Sequence, residues 1–115
     1  MLIKTYCSAV FGVDATTITI ETNIDRGVNF HLVGLPDNAV KESQHRITAA
    51  LKNNGYKWPG FKITVNMAPA DIRKEGSAYD LPIALGILAA SEQLEMPALN
   101  QYIIIGELSL DGGLQ

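Results

Sequence analysis

Between two apolar runs, FKITVNM and LPIALGILAA, the stretch from Asn66 to Leu85 gathers Asp71, Arg73, Lys74, Glu75, Gly76, Ser77 and Asp80. Charge, glycine and a hydroxyl meeting at a helix start make up the composition of an active-site loop, and junctions between buried elements are where folds commonly place function. Two chemistries are open to these residue types. Ser77 could act as a nucleophile with Lys74 as its base, or Gly76 and Ser77 could hold a phosphate at the helix start. The plainer expectations are structural. Lys74 would pair with Asp71 or Asp80, Ser77 would accept a backbone N–H as a helix cap, and the alternating charges would form a polar network, a contact for another subunit or a solvated loop.

The totals narrow the field. A chain of 115 residues has room for one core, and 47% hydrophobic with 18% charged residues is a globular composition. Nine Lys and Arg against twelve Asp and Glu leave a net charge of -3. No window concentrates basic residues, so direct binding of single-stranded nucleic acid through Trp58, Lys57, Lys62, Arg73 and Lys74 is disfavoured. A single cysteine, Cys7, rules out an internal disulfide, and no Cys/His cluster has zinc spacing. These features point to a reducing, cytoplasmic setting. The longest apolar run, Leu81 to Ala90, is about half of a membrane span, and the first residues lack a charged leader with a cleavage site, so no membrane partner is expected.

Periodicity supplies the elements that must position the loop. Ile3, Cys7, Ala9 and Phe11 share one face of a period-two pattern, as do Ile18 and Ile20 in the β-branched run from Thr16 to Thr22. Residues 12 to 14 and 23 to 27 supply turns, and Val28, Phe30 and Leu32 alternate in a third strand. With loops this short, the three strands are expected to form an antiparallel meander. From Pro36 and Asp37 the period becomes helical: Val40, Ile47, Ala50 and Leu51 form the inward stripe, Glu42 can meet Arg46, and NNG at 53 to 55 stops the helix. A fourth strand follows from Phe61 to Met67 with both ends facing inward. A second helix over 79 to 93, with Asp80 as cap and Pro82 in its first turn, is apolar nearly all round and so deeply buried. YIIIGEL reads as a central strand, and DGG as a hairpin turn whose return strand lies beyond Gln115. The sum is a two-layer α/β (α+β) sandwich, βββαβαβ, with a mostly antiparallel sheet and two helices on one face.

Three blocks carry a resemblance: GLPDNAVKESQHRITAAL, ITVNMAPADIRKEGSAYDLPIALGILAAS and IIGELSLDGGL, in that order and spread over nearly the whole chain. They resemble the N-terminal domain of the magnesium-chelatase-like AAA+ ATPases of the ComM or YifB type, a domain similar to the proteolytic domain of Lon and the C-terminal domain of RadA. The resemblance implies a left-handed βαβ crossover, against the usual right-handed rule. It also implies that residues 1–115 precede an ATPase module, cut before the domain's last strand and helix. The partners implied are other subunits of the same hexameric ring, with DNA reached through the full-length protein during branch migration in natural transformation. No GxxxxGK[ST] occurs here, so ATP and Mg2+ are expected in the absent module and no cofactor in this segment.

Lon-like peptidases use a serine nucleophile and a lysine base, in a loop reading Lys-Asp-Gly-Pro-Ser-Ala-Gly. Laid on it, Lys74, Glu75 and Gly76 match, Ser77 takes the proline position, and Ala78 stands where the nucleophile should be. An alanine has no oxygen to attack with, and the catalytic lysine would lie past Gln115. The resemblance therefore implies a non-catalytic accessory or assembly domain, with Ser77 and Lys74 as the alternative dyad of a residual serine hydrolase. His31 and His45 read as surface residues, Cys7 as a buried inert thiol and Trp58 as a core plug.

Overall fold

The structure, a computed structural model, describes residues 1–11 and 13–115. The turn assigned to Gly12 and the inward placement of the Phe11 side chain lie outside the described residues. Seven strands and helices follow one another as β1 (Leu2–Phe11), β2 (Asp14–Asp25), β3 (Phe30–Val33), α1 (Asn38–Lys41), α2 (Ser43–Asn53), β4 (Lys62–Ala68) and α3 (Asp80–Ala90), with a short 3-10 turn at Leu99–Gln101. One four-stranded sheet runs β1-β2-β4-β3. The helices bury their apolar faces against it, giving the expected two-layer α+β sandwich. Among the described residues, no helix is long and apolar enough to cross a membrane.

The sheet departs from the expected meander. β1 and β2 pair antiparallel with Cys7 opposite Ile18, but β2 then pairs antiparallel with β4, and β3 lies beyond β4, parallel to it. The four residues from Arg26 to Asn29 let the chain skip one strand, because they reach more than the roughly 10 Å between next-nearest strands. Backbone freedom at Gly27 (φ 125°) and a left-handed Asn29 (φ 95°) turn it, and the Asn29 carbonyl then accepts the Ile63 N–H at 3.0 Å. β3 to β4 is thus the parallel βαβ unit of the fold, with α1 and α2 as its connection.

Period-two burial is as read at Cys7, Ile18, Ile20, Ile63, Val65 and Met67; Thr5 and Thr22 turn inward with them, and Ile3 and Ala9 are only partly buried. Phe61 does not; it lies one residue before β4 and is 55% exposed. On the helices, Val40, Ile47, Ala50 and Leu51 are all buried. Asp37 caps α1 by accepting the Val40 N–H at 2.8 Å, and α2 ends at Asn53, with Gly55 at φ 81° beyond it. α3 is shorter than expected and buried nearly all round, as a helix without an exposed polar face must be. Pro82 in its first turn costs no hydrogen bond, and its carbonyl accepts the Thr5 hydroxyl at 3.1 Å.

The C-terminal segment also departs from expectation. YIIIGEL is not a central strand: it touches the outer side of β1 through one parallel bridge, Tyr6 to Ile103, leaving Ile103 and Ile105 about half exposed. The cause is Gly106, whose N–H and carbonyl go to Ala78 and Leu81 at the start of α3 instead of to a sheet neighbour. The DGG turn closes within the chain, through a Leu108–Leu114 bridge and a Gln115 N–H donated to the Glu107 carbonyl.

Just past β3 stands Gly34, at φ 108°, where an added Cβ would fall 2.1 Å from the Met67 carbonyl oxygen. Gly34→Ala should therefore lower the unfolding free energy by about 2 kcal/mol or more, from the left-handed backbone and the clash together. Urea unfolding of the two proteins checks it.

Candidate functional site

The charged loop, residues 69–79, leaves β4 beside the exit of its parallel neighbour β3, and the two exits bond to each other. Lys74 N–H donates to the Leu35 carbonyl and Asp37 N–H to the Lys74 carbonyl, both at 2.9 Å. Asp37 adds side-chain ties. One oxygen caps α1, and the other accepts the Gly76 N–H at 3.2 Å. The backbone donor that could have faced a phosphate is thereby turned onto a carboxylate, so this helix entry does not fit a nucleotide phosphate group.

Lys74 is fully buried, and its Nζ donates to the Pro69 carbonyl of the same loop. Neither Asp71 nor Asp80 pairs with it, contrary to expectation; among the described residues no carboxylate lies within ion-pair distance of its amine. Burial pulls the Lys74 pKa below its ordinary value, partly offset by the Asp71 charge. Arg73 and Glu75 pair with each other at 3.3 Å on the exposed rim, where such a contact contributes little. The Ser77 carbonyl accepts the Asp80 N–H at 3.2 Å, while among the described residues its hydroxyl has no hydrogen-bond partner; the α3 cap residue is Tyr79. Burial also raises the Tyr79 hydroxyl to about 12, so it stays protonated.

Asp80 does not cap its own helix either. Almost wholly buried, it receives a two-pronged bond from Arg46 on α2, Nε to Oδ2 at 2.6 Å and Nη2 to Oδ1 at 2.9 Å. Oδ2 also accepts the Leu108 N–H at 3.1 Å, and Arg46 Nη2 reaches the Ala39 carbonyl at 2.8 Å. Hydrogen bonding to Asp80 raises the Arg46 pKa, with burial opposing. The anticipated Glu42–Arg46 pair exists at 3.7 Å, but on the exposed side.

The candidate residues therefore divide. Asp71, Arg73 and Glu75 line an exposed rim; Lys74, Gly76 and Asp80 hold three chain segments together. Reading the sequence placed Asp37 and Arg46 only in their own helical segment, without their ties to Gly76 and Asp80, and missed Pro69 and Leu108. Arg46 carries the one available signal, for it lies four residues before Ala50, on the flank of the buried stripe, where a charge needs a partner. His31 and His45 are exposed, and among the described residues no three His, Cys, Asp or Glu side chains cluster as metal ligands would. Cys7 is buried, which raises its thiol pKa. Trp58 packs its ring 5.4 Å from that of Phe30, against the core.

Residues 20–115 match the family described as subunit ChlI of Mg-chelatase. The chain belongs to that family. Among similar proteins, the uncharacterised protein YifB of Escherichia coli is 50% identical over 108 residues, covering 93% of this chain and 21% of the relative. Competence protein ComM of Haemophilus influenzae is 50% identical over 111 residues, 96% of this chain and 22% of the relative. An uncharacterised protein of Mycobacterium bovis is 40% identical over 110 residues, 95% of this chain and 22% of the relative. The chain thus spans about a fifth of the length of these relatives.

Two outcomes follow from the buried charges. Arg46→Ala strands the Asp80 carboxylate and should cost about 3 kcal/mol or more, whereas Glu42→Ala should stay within about 0.5 kcal/mol, both read by urea unfolding. Lys74 binds its proton less readily folded than unfolded, so its burial penalty eases as pH rises from the lowered value toward the ordinary 10.5. Stability measured between about pH 7 and about pH 10 should rise more in the parent chain than in Lys74→Met.

Proposed function

We propose that this chain is a non-catalytic accessory domain at the N-terminus of a longer, cytoplasmic AAA+ ATPase, serving assembly of a hexameric ring or guidance of DNA toward it. The observation that carries the proposal is the state of the loop. Ala78 stands at the nucleophile position of the Lon-like pattern, and the loop's amine is buried and bonded to the Pro69 carbonyl. A serine–lysine pair needs the amine free to take the hydroxyl proton, so neither half of the chemistry is available.

Family membership supports the ATPase setting, and likeness to the competence protein ComM of Haemophilus supports a place in competence, with branch migration as the work of the whole ring. ATP and Mg2+ belong to the part of such proteins that this chain does not span. Nothing here fits them: there is no phosphate-binding GxxxxGK[ST] sequence, and the Gly76 N–H is bound to Asp37. The exposed rim of Asp71, Arg73 and Glu75 is the surface assigned to neighbouring subunits.

Deleting residues 1–115 from the full-length protein should disturb ring assembly or DNA branch migration, as read by sedimentation and a strand-exchange assay. An unchanged oligomer with full DNA activity would overturn the proposal. A fluorophosphonate probe should leave the domain unlabelled; labelling abolished by Ser77→Ala would establish the hydrolase instead.

A further inference from the structure

β1 is an edge of the sheet, and its hydrogen-bond phase can be read from the residue just before it. Met1 and Ile24 exchange both backbone bonds, at 3.1 and 3.2 Å. In an antiparallel ladder the bonded pairs alternate, so Ile3, Thr5 and Cys7 turn their N–H and carbonyl groups toward β2, and Leu2, Lys4 and Tyr6 turn theirs outward. The outward Tyr6 carbonyl is already taken, by the Ile104 N–H at 2.8 Å, which shows that this edge accepts a partner strand. Leu2 and Lys4 have no such partner among the described residues.

Beside this open half of the edge runs a groove of about 910 Å³, walled on its far side by the segment after α3. Leu94, Met96 and Leu99 give it an apolar lining; the exposed Glu92 and Glu95 make its far wall acidic, while Lys4 and Met1, whose ammonium donates to the Ile24 carbonyl, line the strand side. Neither glutamate has an ion-pair partner among the described residues. Glu92 is the residue that ends α3 in the left-handed region, at φ 61°, with the Gln93 N–H returning to the Leu88 carbonyl at 2.9 Å. Glycine is the favoured residue at such a helix end. Here a carboxylate is held there instead, at some conformational cost, facing the groove.

We propose that this groove binds an extended peptide segment of a partner protein, added as a strand along Leu2–Lys4. Backbone bonds to the outward N–H and carbonyl groups of Leu2 and Lys4 hold it, as in other cases of strand addition. Side chains alternate along a strand, so every second residue of the partner faces the groove. The chemistry of the lining requires those residues to be aliphatic toward Leu94, Met96 and Leu99 and basic toward Glu92 and Glu95. A second copy of this chain fits less well. Were its own β1 to continue the sheet antiparallel, Ile3 would face the groove and Lys4 the opposite side of the sheet, leaving both glutamates unpaired.

The test is an NMR titration of the 15N-labelled chain with a short capped peptide in which every second residue is valine or lysine by turns and the residues between are threonine, so that one face carries both valine and lysine. Before binding, the Leu2 and Lys4 amides should exchange with solvent much faster than those of Ile3 and Thr5. On binding, Leu2 and Lys4 should gain protection. A Glu92→Lys, Glu95→Lys chain should bind at least tenfold more weakly, and so should a peptide N-methylated at the residues that bond the edge. Slow exchange at Leu2 and Lys4 in the free chain would overturn the proposal, as would no binding at millimolar peptide. Equal affinity for the same peptide with glutamate in place of lysine, or indifference to N-methylation, would also overturn it. Concentration-dependent dimerisation that protects the same two amides would assign the edge to a second copy and equally overturn it.

Discussion

A carboxylate in the interior must be matched, and Asp80 is matched from two directions. Arg46 brings α2 to it, and the Leu108 N–H brings the C-terminal segment. Two rigid nitrogens facing two oxygens fix an orientation as well as a distance, which a single-point ammonium contact would not. The pair thereby sets how α2 lies against α3, a helix that is itself apolar nearly all round and has little other means of choosing its rotation. Desolvating both charges offsets much of their attraction, so the pair contributes more to the uniqueness of the packing than to its total stability.

The charged loop then follows from its position. Parallel strands β3 and β4 send their exits out side by side, and the exits satisfy each other's backbone groups across Lys74, Leu35 and Asp37. Asp37 spends one oxygen on α1 and the other on Gly76, which couples the helix start to the loop. Inside this frame the Lys74 stem packs in the interior while its amine bonds to Pro69. A loop so occupied with its own backbone resembles a nucleophile loop in outline and works as a clamp. What remains available for other molecules is its rim, where Arg73 and Glu75 meet in solvent.

Much of this was legible in the residues, and the limits have physical causes. Val40, Ile47, Ala50 and Leu51 were readable because helical spacing and burial report the same face. Ile18, Ile20, Ile63, Val65 and Met67 were readable because a strand repeats every two residues. Strand order was not, since periodicity places a strand's faces but not its neighbours; four residues between β2 and β3 suit a hairpin and a one-strand skip alike. An apolar run such as YIIIGEL reports burial on average and is silent on whether its backbone bonds go to a sheet or, as at Gly106, to a helix start. Lys74 and Asp80 were recognised as central, yet their partners were misassigned. Proximity in sequence favoured pairing them within the loop, whereas the fold supplies Arg46 from 34 residues away.

The central claim is that the loop's amine is a buried structural group and not a waiting base. Brief acylation of the native chain with an amine-directed reagent, read residue by residue in a mass spectrometer, tests it most directly. Lys4, Lys41, Lys52, Lys57 and Lys62 are exposed and should label readily, while Lys74 should stay unmodified until the chain unfolds. Labelling of Lys74 in the native chain at the rate of the exposed lysines would contradict the account.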